Sequence, residues 1–120
     1  MTRGEYTTMT TIRQNKVSRL LQKEMSDVFQ KEGRSLFPGG MVTITNVQVS
    51  PDLSIAKFYL SILGKLDPKE TLAMLMDKKP ELRNALSQKV KHQLRIVPDL
   101  RFFIDESYEA MMRIDELLKK

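Results

Sequence analysis

Eleven cations carry the chemistry this sequence can do. Seven lie between Lys78 and Arg101: Lys78, Lys79, Arg83, Lys89, Lys91, Arg95 and Arg101. Four more, Arg13, Lys16, Arg19 and Lys23, fall in a stretch without an acid. Lysine and arginine at such spacing can neutralise the phosphates of a nucleic acid, a contact that confers affinity rather than sequence reading. The rest of the inventory is poor in reactive groups. There is no cysteine and one histidine, His92, which excludes thiolate and multi-histidine metal sites. No Gly-rich phosphate loop and no convergent acid, base and nucleophile can be assembled, so the chain does not read as an enzyme and no cofactor is expected. Asp105 and Glu106 are adjacent and would point to opposite faces of a strand.

These cations need elements to position them. Leu82, Leu86, Val90 and Leu94 recur every four residues, the spacing of one helix side, with Asn84, Gln88, Lys91, His92 and Arg95 opposite. Pro98 is expected to stop this helix, because the residue before a proline is driven out of the α region. Leu100, Phe102 and Ile104 then alternate with Arg101, Phe103 and Asp105 as a strand. A basic helix leading into a strand is a nucleic-acid-binding geometry. On composition alone, a solvated helix face accounts for the same charges.

Val17, Leu20, Leu21, Met25, Val28 and Phe29 mark a first helix with Thr11 as its N-cap and Gly33 as its stop. Lys16, Arg19 and Lys23 face away from that stripe. They suit a solvated face or a phosphate-contacting one, and this helix alone favours the former. Residues 34 to 40 read as a loop. Met41 to Ser50 is a strand whose alternation changes phase, so Thr45-Asn46 is expected to hold a β-bulge. Ser50-Pro51-Asp52-Leu53-Ser54 is a turn. Ala56, Phe58, Leu60 and Ile62 form one face of the returning antiparallel strand; Lys57, Tyr59 and Ser61 form the other. Tyr59 and Phe103 can offer aromatic faces, although packing is the simpler use. Asp67, with Pro68 after it, caps another helix whose apolar face is Leu72, Leu75 and Met76. Lys78-Lys79-Pro80 breaks it into two helices meeting at a bend, because proline in a helix interior costs about 3 kcal/mol but suits a first turn. Glu106 to Leu118 closes the chain as a helix.

With 120 residues the prior is one domain: a disordered extension over residues 1–10 and a folded unit over 11–118. No apolar run of about eighteen residues exists to span a membrane, and the first residues lack a signal-peptide core. Without cysteine, a reducing compartment is the natural home. The net charge of +5 fits a polyanionic partner.

The element order resembles a type II KH domain: α+β, with a three-stranded mixed sheet carrying helices on one face, arranged α-β-β-α-(bend)-α-β plus a C-terminal helix. Ser50-Pro51-Asp52-Leu53-Ser54-Ile55-Ala56-Lys57-Phe58-Tyr59 resembles the hairpin signature of the ribosome-binding factor A family. Leu94-Arg95-Ile96-Val97-Pro98-Asp99-Leu100-Arg101-Phe102-Phe103 resembles its last-strand signature, and Arg13-Gln14-Asn15-Lys16-Val17-Ser18-Arg19-Leu20 its first helix. The resemblance implies a non-catalytic, cytoplasmic, monomeric assembly factor. Such a factor binds rRNA and the free, immature small ribosomal subunit and aids late maturation, notably in the cold. The eleven cations then become phosphate contacts. Many members carry Ala-x-Gly at the bend; Lys78-Lys79-Pro80 here points to side-chain rather than backbone approach to phosphate. The alternative is a protein-binding or dimerising α+β module that uses its last helix and binds no RNA.

Overall fold

Thr11 starts the first helix, α1 (Ile12–Lys31), through a reciprocal cap. Its Oγ1 accepts from the Gln14 amide, and the Gln14 side chain accepts from the Thr11 amide. Val17, Leu21, Met25, Val28 and Phe29 form its buried stripe. The computed structural model describes residues 11–106; the expected N-terminal extension and all but the first residue of the expected C-terminal helix lie outside them. Gly33 is not the left-handed stop its position suggested. The helix closes at Glu32, and Gly33 opens a single turn, α2 (Gly33–Leu36), so part of the expected loop is helical. That turn forms because Leu36 and Phe37 reach the core, Phe37 lying edge-on to Phe29 at 5.2 Å.

The hairpin follows its pattern. β1 (Gly40–Val49) pairs antiparallel with β2 (Ile55–Gly64), and the register shifts between Ile44 and Asn46, the expected bulge. The slip lets Val42, Ile44, Val47 and Val49 all face inward. Leu53 occupies the left-handed region in the connecting turn, which Asp52 braces by accepting from the Ser50 hydroxyl and from the Ser54 amide and hydroxyl. Gly39 and Gly64 both need positive φ where strand ends cross. A Cβ on Gly64 would meet the Gly39 carbonyl oxygen at 2.7 Å.

Asp67 caps α3 (Pro68–Asp77) by accepting from the Glu70 amide. The backbone turns at Lys78, and α4 (Lys79–Val90) begins with Pro80 in its first turn, so the two helices meet at a bend as expected. Two details differ. Met76 is exposed while Met74 packs on the core, because the buried line of α3 runs through Thr71 and Leu75 and Met76 lies well round from both. The helix also ends at Val90, well before Pro98. The amides of Gln93 and Leu94 both turn back to the Val90 carbonyl, and Lys91, His92 and Arg95 therefore lie on an exposed connection rather than a helix face. The reason is topological. β3 (Asp99–Ile104) runs parallel to β2, beginning beside Ile55, so the chain must leave the helix layer and return to that end of the sheet.

The sheet order is β1-β2-β3. One face buries Val42, Ile44, Ala56, Phe58, Leu60, Leu100 and Phe102 beneath Leu21, Met25, Leu75, Leu86 and Val90 of the helices. Ser61, expected on the outer face with Lys57 and Tyr59, is only 1% exposed, and its hydroxyl has no partner among the described residues. Among the described residues no helix is long and apolar enough to cross a membrane.

Candidate nucleic-acid interface

Buried Leu82, Leu86 and Val90 fix which side of α4 meets solvent. On that side Pro80, Arg83, Asn84 and Ser87 form one wall of a cleft of about 410 Å3; Arg95, Ile96 and Val97 form the other. Arg83 is anchored there, donating from Nη2 to the Val97 carbonyl oxygen at 2.6 Å. A guanidinium has five N–H donors, so one such bond orients the group and leaves donors for an anion. Arg95, on the facing wall, is exposed and has no ion pair among the described residues.

The other expected contacts sort by what they already bind. Lys78 reaches Glu81 at 3.7 Å across exposed surface, a pair that water and salt weaken. Lys79 lies 3.7 Å from Asp99, which also accepts from Arg101 Nε at 3.2 Å. Asp99 thus links the bend to β3 through two cations. Lys89 turns inward to Asp27 and Glu24 on α1. Hydrogen bonding from Lys89, and then from Lys31, holds the Asp27 carboxyl below the usual carboxylate range. The Asp27 bond likewise raises Lys89. Lys89 therefore ties two helices together and is withdrawn from the cleft. Lys91 is exposed on the connection beyond α4.

Arg13, Lys16, Arg19 and Lys23 are all exposed on α1, and none pairs with an acid among the described residues. Their spacing keeps them on the side away from the buried stripe. The interface is thus a cleft beside the bend plus a separate basic row on α1.

Asn84, expected only as part of the polar side of the helix, lines the cleft with Ser87 and Ile96, neither of which was singled out from sequence. The signal for Ser87 was present: with Pro80, Arg83 and Asn84 it recurs at helical spacing on the polar side of α4. Ile96 carried no local signal, since the fold alone sets it opposite them. A larger hollow of about 660 Å3 lies between α1, α2 and the β1 edge. Arg34 is its one charged lining residue, and it gathers none of the predicted cations, so the α4 cleft is the better candidate.

At the bend the backbone offers little to a phosphate. The Lys78 amide already donates within α3, to Met74 and Met76, and Pro80 has no amide hydrogen. Side chains must make the contacts there.

Comparison with known proteins agrees with this architecture. The family model for ribosome-binding factor A matches residues 13–118. The ribosome-binding factor A of Cytophaga hutchinsonii is 41% identical over 112 residues, 93% of this chain and 84% of that protein. The one from Chlorobium phaeobacteroides strain BS1 is 44% identical over 112 residues, covering 92% and 94%. Among solved structures, the crystal structure of Thermus thermophilus ribosome-binding factor A aligns with a TM-score of 0.62 at 22% identity, over 76% of this chain and 94% of that one. A homology model of the Thermus thermophilus factor, fitted into the cryo-EM map of a 30S complex with that factor, aligns at 0.58 and 24% identity, over 72% and 89%. These two structural likenesses bear on the fold, which is type II KH-like. By sequence over nearly its whole length, the chain belongs to the ribosome-binding factor A family.

Proposed function

We propose that this protein is a non-catalytic, cytoplasmic assembly factor. It binds, as a monomer, the free immature small ribosomal subunit, holds rRNA by phosphate contacts, and supports late rRNA processing, most visibly in the cold. The observation that carries this reading is the set of cations without acid partners among the described residues, Arg13, Lys16, Arg19 and Lys23 on α1 and Lys91 and Arg95 at the far end of α4, in a chain of this family. Such cations release counterions when they meet phosphates, which favours RNA over a neutral protein surface. Arg83 adds to the cleft, while Lys78, on the side of the bend that faces α2, and Arg101, on β3, add phosphate contacts outside it. Lys79 contributes less because Asp99 holds it, and Lys89 contributes nothing because its charge is spent on α1.

Cosedimentation tests the reading. The protein should run with isolated small subunits and not with translating ribosomes. A deletion strain should accumulate precursor small-subunit rRNA, more so at low temperature. Normal rRNA processing and normal cold growth in that strain would overturn it.

A further inference from the structure

The sheet face away from the helices carries an ordered set of side chains that the cleft does not use. Paired positions on adjacent strands point to the same side. Gln48, Lys57 and Arg101 therefore form one row across β1, β2 and β3, and Asn46, Tyr59 and Phe103 form the next, about 6.7 Å along the strands. Tyr59 and Phe103 stack with ring centroids 5.6 Å apart and planes 27° apart. Tyr59 lies between Asn46 and Phe103. Phe103 stands on β3, an edge strand among the described residues, and remains 39% exposed. A core aromatic would be closed off, as Phe58 and Phe102 are. The stack is thus capped on one side by the sheet and left open on the side of the β3 edge.

The charges beside it suit an anion. Lys57 is exposed and unpaired among the described residues. Arg101 is exposed and uses Nε on Asp99, which leaves its terminal nitrogens available. Two carboxylates flank the row. Asp99 is shared between Lys79 and Arg101, and Asp105 accepts from the Thr45 hydroxyl at 2.5 Å. An aromatic ring with cations at one nucleotide's reach is how single-stranded nucleic acid is held without sequence reading.

We propose that this face binds single-stranded RNA, an unpaired base extending the Tyr59–Phe103 stack while Arg101 and Lys57 hold its phosphate. Asp99 makes the surface continuous with the bend, since one carboxylate touches both Lys79 and Arg101. A strand leaving the α4 cleft can cross the β3 edge onto the stack. The inference rests on the RNA-binding reading above and adds a second, base-dependent contact to its phosphate contacts.

The test uses the full chain, a twelve-nucleotide oligoadenylate, and a matched abasic ribose-phosphate oligomer. The unaltered protein should bind the oligoadenylate more tightly. Phe103→Leu keeps an apolar side chain but removes the stacking face. It should weaken oligoadenylate binding about tenfold, the scale of one lost stack, with little change on the abasic oligomer or in salt dependence. Phe103→Tyr should restore binding. Lys78→Ala/Lys79→Ala/Arg83→Ala should instead weaken both oligomers and flatten the salt dependence. If Phe103→Leu binds oligoadenylate as the parent does, or loses both oligomers equally, base stacking at this face is refuted, whatever the triple variant does. If it binds both oligomers normally but no longer binds isolated small subunits, the face meets protein and the proposal is equally overturned. If the triple variant binds normally while Phe103→Leu does not, the stack stands and the phosphate contacts at the bend fall.

Discussion

Replacing Arg13, Lys16, Arg19 and Lys23 together by Gln isolates the α1 row from the cleft. The four residues span ten positions of α1, about 15 Å of helix at 1.5 Å per residue. At a rise of about 3.4 Å per nucleotide, a stacked strand sets roughly four phosphates along that length, one per cation. Each contact contributes about 0.7 to 0.9 to the slope of log affinity against log salt, so the row accounts for a slope near −3. Raising salt from 50 to 200 mM should then cost the parent about 50- to 150-fold in affinity through this row alone. The quadruple variant should lose that sensitivity and bind more weakly at low salt. Because the four side chains are exposed and unpaired, stability should change by no more than about 0.5 kcal/mol per substitution. Fluorescence anisotropy with a labelled RNA at several salt concentrations, with circular dichroism as the folding control, reads the outcome. An unchanged slope in a folded variant refutes the assignment of the α1 row to RNA and leaves the α4 cleft as the phosphate site.

Gly64→Ala should destabilise the fold by about 1 to 3 kcal/mol in thermal or urea unfolding, since Gly64 has φ of +90° and its Cβ would press on the Gly39 backbone; an unchanged midpoint would contradict the strand-crossing geometry. Gln14→Leu removes the back-bond of the α1 cap and the buried bond from Gln14 Nε2 to the Val49 carbonyl oxygen at 2.9 Å, so it should cost about 2 kcal/mol, whereas a loss within error of zero would show that water replaces both. The Asp52 carboxyl is lowered from 3.8 to about 2, first by the Ser54 hydroxyl and then by the Ser50 hydroxyl. A depressed carboxylate adds stability above its unfolded value and loses it as pH falls through the folded one. Asp52→Asn should therefore flatten the stability profile between pH 4 and 2, and unfolding curves with the parent's slope in that window would contradict the turn network.

Local chemistry was legible in the sequence wherever a few neighbouring residues decide the conformation. The Thr11 cap, the bulge at Thr45-Asn46, the Asp52 turn and the bend before Pro80 all follow from interactions within about five residues, and the structure has them all. The alternation of Leu100 and Phe102 with Arg101 and Phe103 likewise announced which residues β3 would bury. Tertiary structure decided what depends on distant partners. α4 stops at Val90 rather than continuing toward Pro98, because β3 must begin beside Ile55 and the connection has to cross to that end of the sheet. From sequence, Lys89 was one of the expected phosphate contacts. It took α1 packing alongside to set Asp27 and Glu24 against it, and so to remove one cation from the interface. Tyr59 and Phe103 are 44 positions apart, and parallel pairing of β2 with β3 makes them a stack with one open side. Charge and periodicity are properties of the chain, whereas the freedom of a given charge or ring to meet a ligand depends on what the fold brings beside it.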